Sequence, residues 1–419
     1  MQYKHLTDHK KSIMLFLITF ILYALVYMTK NCYSAAMASI VDAGIMTKSQ
    51  TGLIAAVFYL VYAPFQIVGG IAADKHSPLK LITIGVVGAG IANLLIYLFN
   101  SNYIAMMVIW ACNAVVQFGV WPSVFRIIAT QLAEEHRSKA IVYISLSSVS
   151  GLLLSYLMAV FITEWQYNFL YSSIILFCIA VVFVVVYKYL EKDMVICEIT
   201  LPEKSEKNEK ASEKEFSTFR LIIVSGLPLM FVVYIVQNVL NLGIKALAPV
   251  MFMEAYSGVS PAIANGLNTA LILATPVGLF LSRIPFFRRF SAPKAVALLL
   301  AISLPMLFAI TFVGSINLVF VIASLMLLMV DTGIMTVFFS YMSSSFEKFG
   351  CVATVSGLFN CMASLGIVLA NYVFAKFADM YGWGFTTKGW VIITVGSLIL
   401  TLIAIPVWER FIKRMKIDE

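Results

Sequence analysis

Long apolar runs, separated by short polar segments, dominate the pattern of this 419-residue chain. A helix needs roughly 20 apolar residues to cross about 30 Å of hydrocarbon. Twelve runs are close to or above that length: residues 14–40, 50–73, 79–99, 103–130, 140–162, 167–189, 220–253, 261–282, 295–313, 317–344, 352–377 and 388–408. The pattern therefore predicts an all-α membrane protein with twelve transmembrane helices.

A polar gap separates the first six runs from the last six. It covers residues 191–217 and includes the mixed-charge stretch 203–210, EKSEKNEK. Such a stretch cannot bury an apolar face, so we expect a solvated linker that is flexible or frayed-helical. The predicted parts are an amino-terminal six-helix bundle at 1–190, a charged cytoplasmic linker at 191–217 and a carboxy-terminal six-helix bundle at 218–419.

The amino-acid composition indicates that the lipid bilayer is the solvent. Hydrophobic residues make up 61% of the chain and charged residues 12%, against roughly 45–50% and about 25% in soluble domains. The six cysteines have no paired spacing, which argues against a disulfide framework or a metal cluster. The first apolar run is too long for a signal-peptide core, so we expect it to be retained as the first helix.

Lysine and arginine are unevenly distributed among the segments between the runs. With the amino terminus cytoplasmic, the outer segments hold only Lys48, Lys376 and Lys388, and the inner segments hold most of the other basic residues. This asymmetry follows the positive-inside rule. It places both termini and the linker in the cytoplasm, and it explains the net charge of +8 without a nucleic-acid partner. We expect a multi-pass protein of a bacterial plasma membrane.

The loop between the second and third runs carries a recognisable motif. Residues 70–80 read GIAADKHSPLK, with Gly70, then an acid at Asp74 and bases from Lys75 onward. This loop, in a chain of six plus six runs, resembles the signature of the major facilitator superfamily. In it, Gly70 would allow close helix approach, and Asp74 with its basic neighbours would form a latch at the cytoplasmic mouth. The resemblance implies two bundles built from inverted repeats, and transport by alternating access.

Three further stretches resemble one branch of that superfamily, the organophosphate:phosphate antiporters that include the glycerol-phosphate and hexose-phosphate carriers. Residues 27–31, YMTKN, are similar to its Tyr-x-x-Arg-Lys-Asn region in the first helix. Residues 117–122, QFGVWP, with Arg126, are similar to its Gln-Gly-x-Gly-Trp-Pro-Pro stretch, and residues 357–359, GLF, open a small-residue eleventh helix. The resemblance implies exchange of a phosphorylated anion.

The chain departs from that branch at the residues that bind phosphate. The resemblance implies one arginine in the first helix and another in the seventh, since a guanidinium binds oxyanions in a bidentate manner. Here Thr29, followed by Lys30, stands at the first position and Asn241 at the second. The fifth run has residues 145–148, SLSS, where glycerol-phosphate carriers have a histidine.

Lys30 is the first candidate binding residue. In the first run, Tyr23, Tyr27, Asn31 and Ser34 recur with it at helical spacing and form one polar face. Ionisable residues deep in a span are costly and usually mark a functional site. The alternative is a lysine that extends its ammonium to the outer interface.

Lys245 is the second candidate. It shares one helical face with Asn238 and Asn241 in the seventh run, and an interfacial position is again the alternative. Lys30 and Lys245 would supply two positive charges, one from each half, which suits an anionic substrate. Tyr27, Asn31 and Asn241 would donate hydrogen bonds to it.

Asp331 is the only acid deep in a run. Three interpretations stay open: a carboxylate that couples transport to protons, a permanent counter-ion to Lys245 or Lys30, and a structural polar contact of the tenth helix.

The fourth run adds less specific candidates. Gln117 and Asn113 are either cavity donors or interhelical contacts, and Trp121 either packs structurally or stacks on substrate. Pro122 should kink the helix. Arg126 is either a cytoplasmic gate, together with Gly70, Asp74 and Lys75, or an interfacial anchor.

These observations favour a secondary active transporter of a small organic anion of the organophosphate or carboxylate type, working as an antiporter or a proton symporter. Its partners would be the anion, membrane lipid and protons or inorganic phosphate, with no cofactor and no metal, in a monomer. The spans lack histidine and hold one deep acid, which excludes intramembrane proteolysis, so we expect no enzyme. The alternative function is a transporter-like membrane sensor that binds a sugar phosphate and signals to a partner.

Overall fold

A computed structural model describes residues 2–162, 164–198, 220–313, 317–346 and 352–417. The chain forms two compact units, Met1–Ser205 with Pro261–Gly266, and Glu206–Ser260 with Leu267–Glu419. Each unit has its own buried apolar core, in which Leu22, Val124 and Phe183 take part in the first unit and Leu299 and Met335 in the second.

The first unit is built from seven helices in the described residues. They are α1 (His9–Asp42), α2 (Lys48–Lys75), α3 (Pro78–Leu98), α4 (Tyr103–Val116), α5 (Val120–Thr130), α6 (Glu134–Phe161) and α7 (Trp165–Glu191). Asp8 caps α1 by accepting the backbone N–H groups of Lys10 and Lys11. These hydrogen bonds, chiefly the one from Lys11, hold the pKa of the Asp8 carboxyl below its ordinary value.

The second unit has a similar series of long helices. They are α8 (Leu227–Asn238), α9 (Ile244–Ala255), α10 (Pro261–Leu281), α11 (Ala292–Val313), α12 (Leu318–Ser344), α13 (Val352–Val368) and α14 (Ala375–Ile417). The first turns of α10, Pro261–Gly266, belong to the first unit and the rest of α10 to the second. Two π-helical segments join α8 to α9 (Val239–Gly243) and α13 to α14 (Leu369–Phe374). Gly382, with φ of 76°, breaks α14.

The helices follow the predicted apolar runs to within a few residues at most ends. In the described part of the chain, nine helical stretches are long and apolar enough to cross a membrane, and one of them, Val355–Arg414, covers two predicted runs. The predicted all-α membrane fold is confirmed, whereas the count of twelve spans stays a prediction.

The predicted fourth run is two helices rather than one. Helix α4 ends at Val116 and α5 begins at Val120, just before Pro122. Because proline has no N–H, the carbonyl of Phe118 has no helical donor four residues later. The interruption therefore lies one turn ahead of the proline that the sequence identified.

Residues at the start of the predicted linker form a strand. Strand β2 (Val195–Glu198) pairs antiparallel with β1 (Gln2–His5), with His5 opposite Val195. An ion pair between Lys11 and Asp193, with Nζ and Oδ2 3.1 Å apart, lies beside this pair. The apolar residues that precede the charged stretch thus extend the first unit, and linker residues 199–217 lie outside the described residues.

Candidate functional site

The Lys30 ammonium of the first unit lies among four aromatic rings. Its Nζ is 3.7 Å from the centre of the Tyr62 ring and 5.3–5.5 Å from the rings of Phe58, Tyr59 and Tyr27. A cation near aromatic faces is stabilised by the ring quadrupoles. Within the described residues, no carboxylate lies at salt-bridge distance from it and no oxygen accepts from it. We call these four rings the aromatic cage.

Three of the cage residues come from α2 and were not predicted from the sequence. Phe58 and Tyr62 are four residues apart, so they lie on one face of the helix beside Tyr59. Gln66 follows one turn later, and its buried Nε2 has no hydrogen-bond partner among the residues that the structure describes. This face could have been identified from the sequence. In the second apolar run, aromatic residues recur at helical spacing and a glutamine follows on the same face.

Asn31 ties the two helices of the cage together. Its Nδ2 donates to the carbonyl of Tyr27 at 2.7 Å, and its Oδ1 accepts from the Tyr59 hydroxyl at 3.3 Å. Thr29 is fully buried and donates to the carbonyl of Val26 within its own helix. In the apolar part of α1 the cation is therefore Lys30, on the tyrosine face, and the neighbouring position where the resemblance implied an arginine is packed inside the unit.

Trp121 extends the aromatic face, whereas Gln117 does not. The Trp121 ring is 4.6 Å from that of Tyr23, which in turn is 6.1 Å from that of Tyr27. Gln117 is buried and donates from Nε2 to Oδ1 of Asn113 at 2.7 Å. The structure thus connects Trp121 to the cage through Tyr23 and places Gln117 in a contact within α4 and its C-cap.

The predicted cytoplasmic gate is organised around the end of α2. The Arg126 guanidinium donates from Nη1 to the carbonyls of Ala73 and His76, the latter at 3.0 Å. Unpaired carbonyls at a helix C-terminus attract such a cation. Lys75 is exposed in the last turn of α2, and the side chain of Asp74 lies outside the described residues.

Close helix approach in this region occurs at Gly69 and not at Gly70. A Cβ atom at Gly69 would collide with the Phe118 carbonyl, whereas a Cβ at Gly70 would meet open space. The expectation that Gly70 permits close approach is therefore wrong. The reason is the interruption between α4 and α5, because it frees the Phe118 carbonyl to point towards α2.

The Lys245 ammonium of the second unit is held by neutral oxygens. Its Nζ donates to Oδ1 of Asn241 at 2.5 Å and to Oγ1 of Thr275 at 2.7 Å, and the side chain is buried. Thr275, on α10, was not predicted as a site residue. A threonine one residue before Pro276 inside an apolar run is a weak signal.

The regular α-helical hydrogen-bond pattern is interrupted on both sides of Lys245. Asn241 lies in the π-helical segment Val239–Gly243, and such segments are frequent at functional sites. Pro249, four residues after Lys245, cannot donate to the Lys245 carbonyl. That carbonyl accepts Nδ2 of Asn268 at 2.8 Å instead, so α10 is tied to α9 at this lysine.

Asp331 is buried in α12 next to α11. Its Oδ2 accepts a hydrogen bond from the hydroxyl of Ser303. In the described parts of the chain no basic side chain lies at salt-bridge distance from it. Asp331 and Lys245 belong to the same unit but do not form an ion pair in this structure.

Comparison with known proteins shows which family the chain matches. The profile of the Major Facilitator Superfamily matches residues 19–371. Over 95 residues the chain is 36% identical to the membrane sensor protein UhpC of Salmonella typhimurium, covering 23% of this chain and 21% of that protein. Over 205 residues it is 26% identical to a probable hexose phosphate transport protein of Chlamydia trachomatis, covering 48% of this chain and 43% of that protein. The matches span less than half the length of these curated relatives.

Solved structures of similar fold cover nearly the whole chain. A bacterial homologue of the human lysosomal transporter Spinster, in an inward-facing conformation, superimposes with a TM-score of 0.75 at 15% identity. That match covers 96% of this chain and 99% of the homologue. A peptide transporter in complex with sulfate gives a TM-score of 0.71 at 14% identity, with 96% of this chain and 95% of the transporter covered. At these identities the likeness concerns the fold alone.

Proposed function

Because the chain belongs to the Major Facilitator Superfamily, we propose that it moves a small organic anion across the membrane by alternating access, with a phosphorylated hexose as the first candidate substrate. The observation that carries this proposal is Lys30, a cation inside a membrane span whose described neighbours are aromatic rings. Lys30 is the proposed anion-binding residue of the first unit, and Lys245 is that of the second.

The chemistry of the cage favours an anion over a neutral substrate. An ionised lysine without a carboxylate is costly at membrane depth, and an anionic ligand would remove that cost. The ring faces attract the ammonium without using its N–H donors. Three of the four rings are tyrosines, whose hydroxyls can donate to phosphate or carboxylate oxygens at the same place.

The curated relatives support phosphate esters in particular. The Chlamydia relatives carry the name probable hexose phosphate transport protein. Lysine binds phosphate as a point charge rather than in a bidentate manner. We therefore propose that Lys30 contacts a single phosphate oxygen and that tyrosine hydroxyls supply the remaining hydrogen bonds.

Asp331 supports proton coupling as the energy source. A carboxyl that is buried beside a serine hydroxyl, with no basic partner in the described residues, can be neutral when protonated and costly when charged. A proton that enters with the anion would bind there. Anion exchange without protons is the competing mode, in which Asp331 has a structural role.

Counterflow in proteoliposomes tests the function and separates the two modes. Vesicles are loaded with inorganic phosphate and offered labelled glucose 6-phosphate, with and without a pH gradient. We expect uptake that the gradient increases if Asp331 couples transport to protons, and uptake independent of the gradient for exchange. Absence of uptake for phosphate esters and carboxylates alike would contradict the proposed transport.

A membrane sensor is the second candidate, and the UhpC relatives favour it. A sensor would bind the sugar phosphate without moving it. Equilibrium binding of glucose 6-phosphate to the purified protein, combined with no counterflow, would support the sensor. Binding together with counterflow would support the transporter.

A further inference from the structure

A cavity of about 500 Å³ lies in the second unit, away from the residues around Lys245 and Asp331. It is formed where α11 begins, α12 ends and the apolar part of α14 gives way to charged residues. Its walls include Phe290, Phe338, Tyr341, Trp408 and Ile412. The volume and the apolar walls fit one segment of a hydrocarbon chain.

The polar rim of this cavity carries a net positive charge. Glu409 is neutralised, because its Oε1 is 2.6 Å from the Lys294 ammonium and accepts from the Ser291 hydroxyl at 3.2 Å. Lys413, one helical turn after Glu409, is exposed and lines the same cavity. Among the described residues no carboxylate lies at salt-bridge distance from Lys413.

The cavity lies at the border between apolar and charged sequence. Trp408 is the last residue of the twelfth apolar run, and the basic residues Arg410, Lys413 and Arg414 follow within two turns. Tryptophan and tyrosine are enriched where a membrane span meets the lipid headgroups. The positive-inside pattern assigns this end to the cytoplasmic leaflet, in which anionic lipids attract basic residues near the surface.

We propose that this cavity is a binding site for an anionic phospholipid. One acyl chain lies between Phe338, Tyr341 and Trp408, and the headgroup phosphate binds the Lys413 ammonium. The Lys294–Glu409 pair forms the opposite side of the mouth and keeps the acid from repelling the phosphate. The site would join α11, α12 and α14 of the second unit through one lipid molecule.

Native mass spectrometry of the full-length protein tests the charge part of the proposal. The protein is titrated with phosphatidylglycerol and, separately, with phosphatidylcholine of the same acyl chains. We expect a several-fold preference for phosphatidylglycerol and a loss of about fivefold in its binding for Lys413→Ala, the size expected for one basic residue near the headgroups. Lys413→Arg keeps the positive charge, so it should prefer phosphatidylglycerol as the wild type does.

Arg414→Ala is the matched control, because it removes an equal charge at the next residue, which does not line the cavity. Its effect should be smaller than twofold. Equal losses for Lys413→Ala and Arg414→Ala would mean a general attraction to the basic end of α14 and would overturn the proposed site. Equal binding of phosphatidylglycerol and phosphatidylcholine to the wild type would overturn its charge selectivity.

A second variant tests whether the chain enters the cavity. Ala292 lines it at the first residue of α11, and Ala292→Leu extends an apolar side chain into that space. We expect weaker binding of both lipids, with the remaining preference for phosphatidylglycerol intact. Unchanged binding by Ala292→Leu would mean that lipid touches only the surface, which would contradict an occupied cavity.

Discussion

Lys30 and Lys245 are the same residue type in two contrasting environments. In the first unit, rings surround the ammonium, and its described surroundings offer it no oxygen acceptor. In the second unit, the ammonium donates to an amide oxygen and a threonine hydroxyl. Aromatic faces stabilise a cation without fixing the direction of its N–H groups, whereas hydrogen bonds fix that direction.

The difference indicates distinct roles for the two lysines. Lys30 keeps its donors available for an incoming anion, so it should supply most of the charge recognition. Lys245 must give up at least part of its hydrogen bonding to bind an anion, so its contribution to affinity should be smaller. Its removal should instead disturb the second unit, where Asn241 and Thr275 rely on it.

The largest expected effect is that of Lys30→Ala. Loss of a charged partner costs roughly 2–5 kcal/mol, so we expect the affinity for glucose 6-phosphate to fall by about 30-fold or more. The dependence of the counterflow rate on substrate concentration measures this affinity, and a thermal unfolding scan checks that the variant is folded. Lys80→Ala, an exposed lysine at the start of α3, is the matched control. Wild-type transport by Lys30→Ala would make Lys30 an interfacial residue.

Asp331→Asn tests the second buried charge of the second unit. The amide can still accept from Ser303 but cannot carry a proton. We expect proton-driven accumulation to be lost and exchange of internal against external substrate to continue at a similar rate. Accumulation under a pH gradient and exchange without one are measured on the same vesicles. Accumulation at the wild-type level would exclude Asp331 as the coupling acid.

Lys245→Ala should have a smaller effect on affinity than Lys30→Ala and a larger one on stability. Loss of one charged hydrogen bond to the substrate corresponds to roughly tenfold in affinity. The buried Asn241 oxygen would lose its partner, which costs about 1–3 kcal/mol of unfolding free energy. Binding titrations and thermal unfolding measure the two quantities. A larger loss of affinity than in Lys30→Ala would reverse the assigned roles.

Arginine substitutions should have the smallest effects on substrate affinity. They also give the sharpest contrast between the two lysines. A guanidinium stacks on aromatic rings and binds phosphate, so Lys30→Arg should keep the affinity within about threefold. The buried space between Asn241 and Thr275 is fitted to an ammonium, and overpacking there costs roughly 1–3 kcal/mol. The affinity of Lys245→Arg for glucose 6-phosphate should therefore fall by about fivefold or more. Equal tolerance of arginine at both positions would remove the contrast.

The sequence predicted the class of molecule well, because apolar runs of membrane length are a strong signal. The all-α membrane fold, the superfamily and the absence of enzymatic function are confirmed by the family match and the transporter relatives. The antiport or symport mode, the substrate and the predicted site residues stay predictions.

The local differences between the predicted and the observed structure have identifiable physical causes. Pro122 interrupts the helix one turn earlier than its own position, which moves the close approach from Gly70 to Gly69. The aromatic cage depends on α2 packing beside α1, and no spacing within one run reveals which face of a neighbouring helix it meets. The same holds for Thr275 and Ser303, since each acts on a residue of a different helix.

The most direct test of the central claim, that Lys30 recognises the negative charge of the substrate, combines a change in the ligand with a change in the protein. The affinities of the wild type and of Lys30→Ala are measured for glucose 6-phosphate and for uncharged glucose. We predict that the wild type strongly prefers the phosphate ester and that this preference falls by about 30-fold or more in Lys30→Ala, which leaves only the smaller contribution of Lys245, while the weak affinity for glucose is unchanged. A preference for the phosphate ester that is as strong in Lys30→Ala as in the wild type would contradict the assignment of Lys30 as the main anion-binding residue.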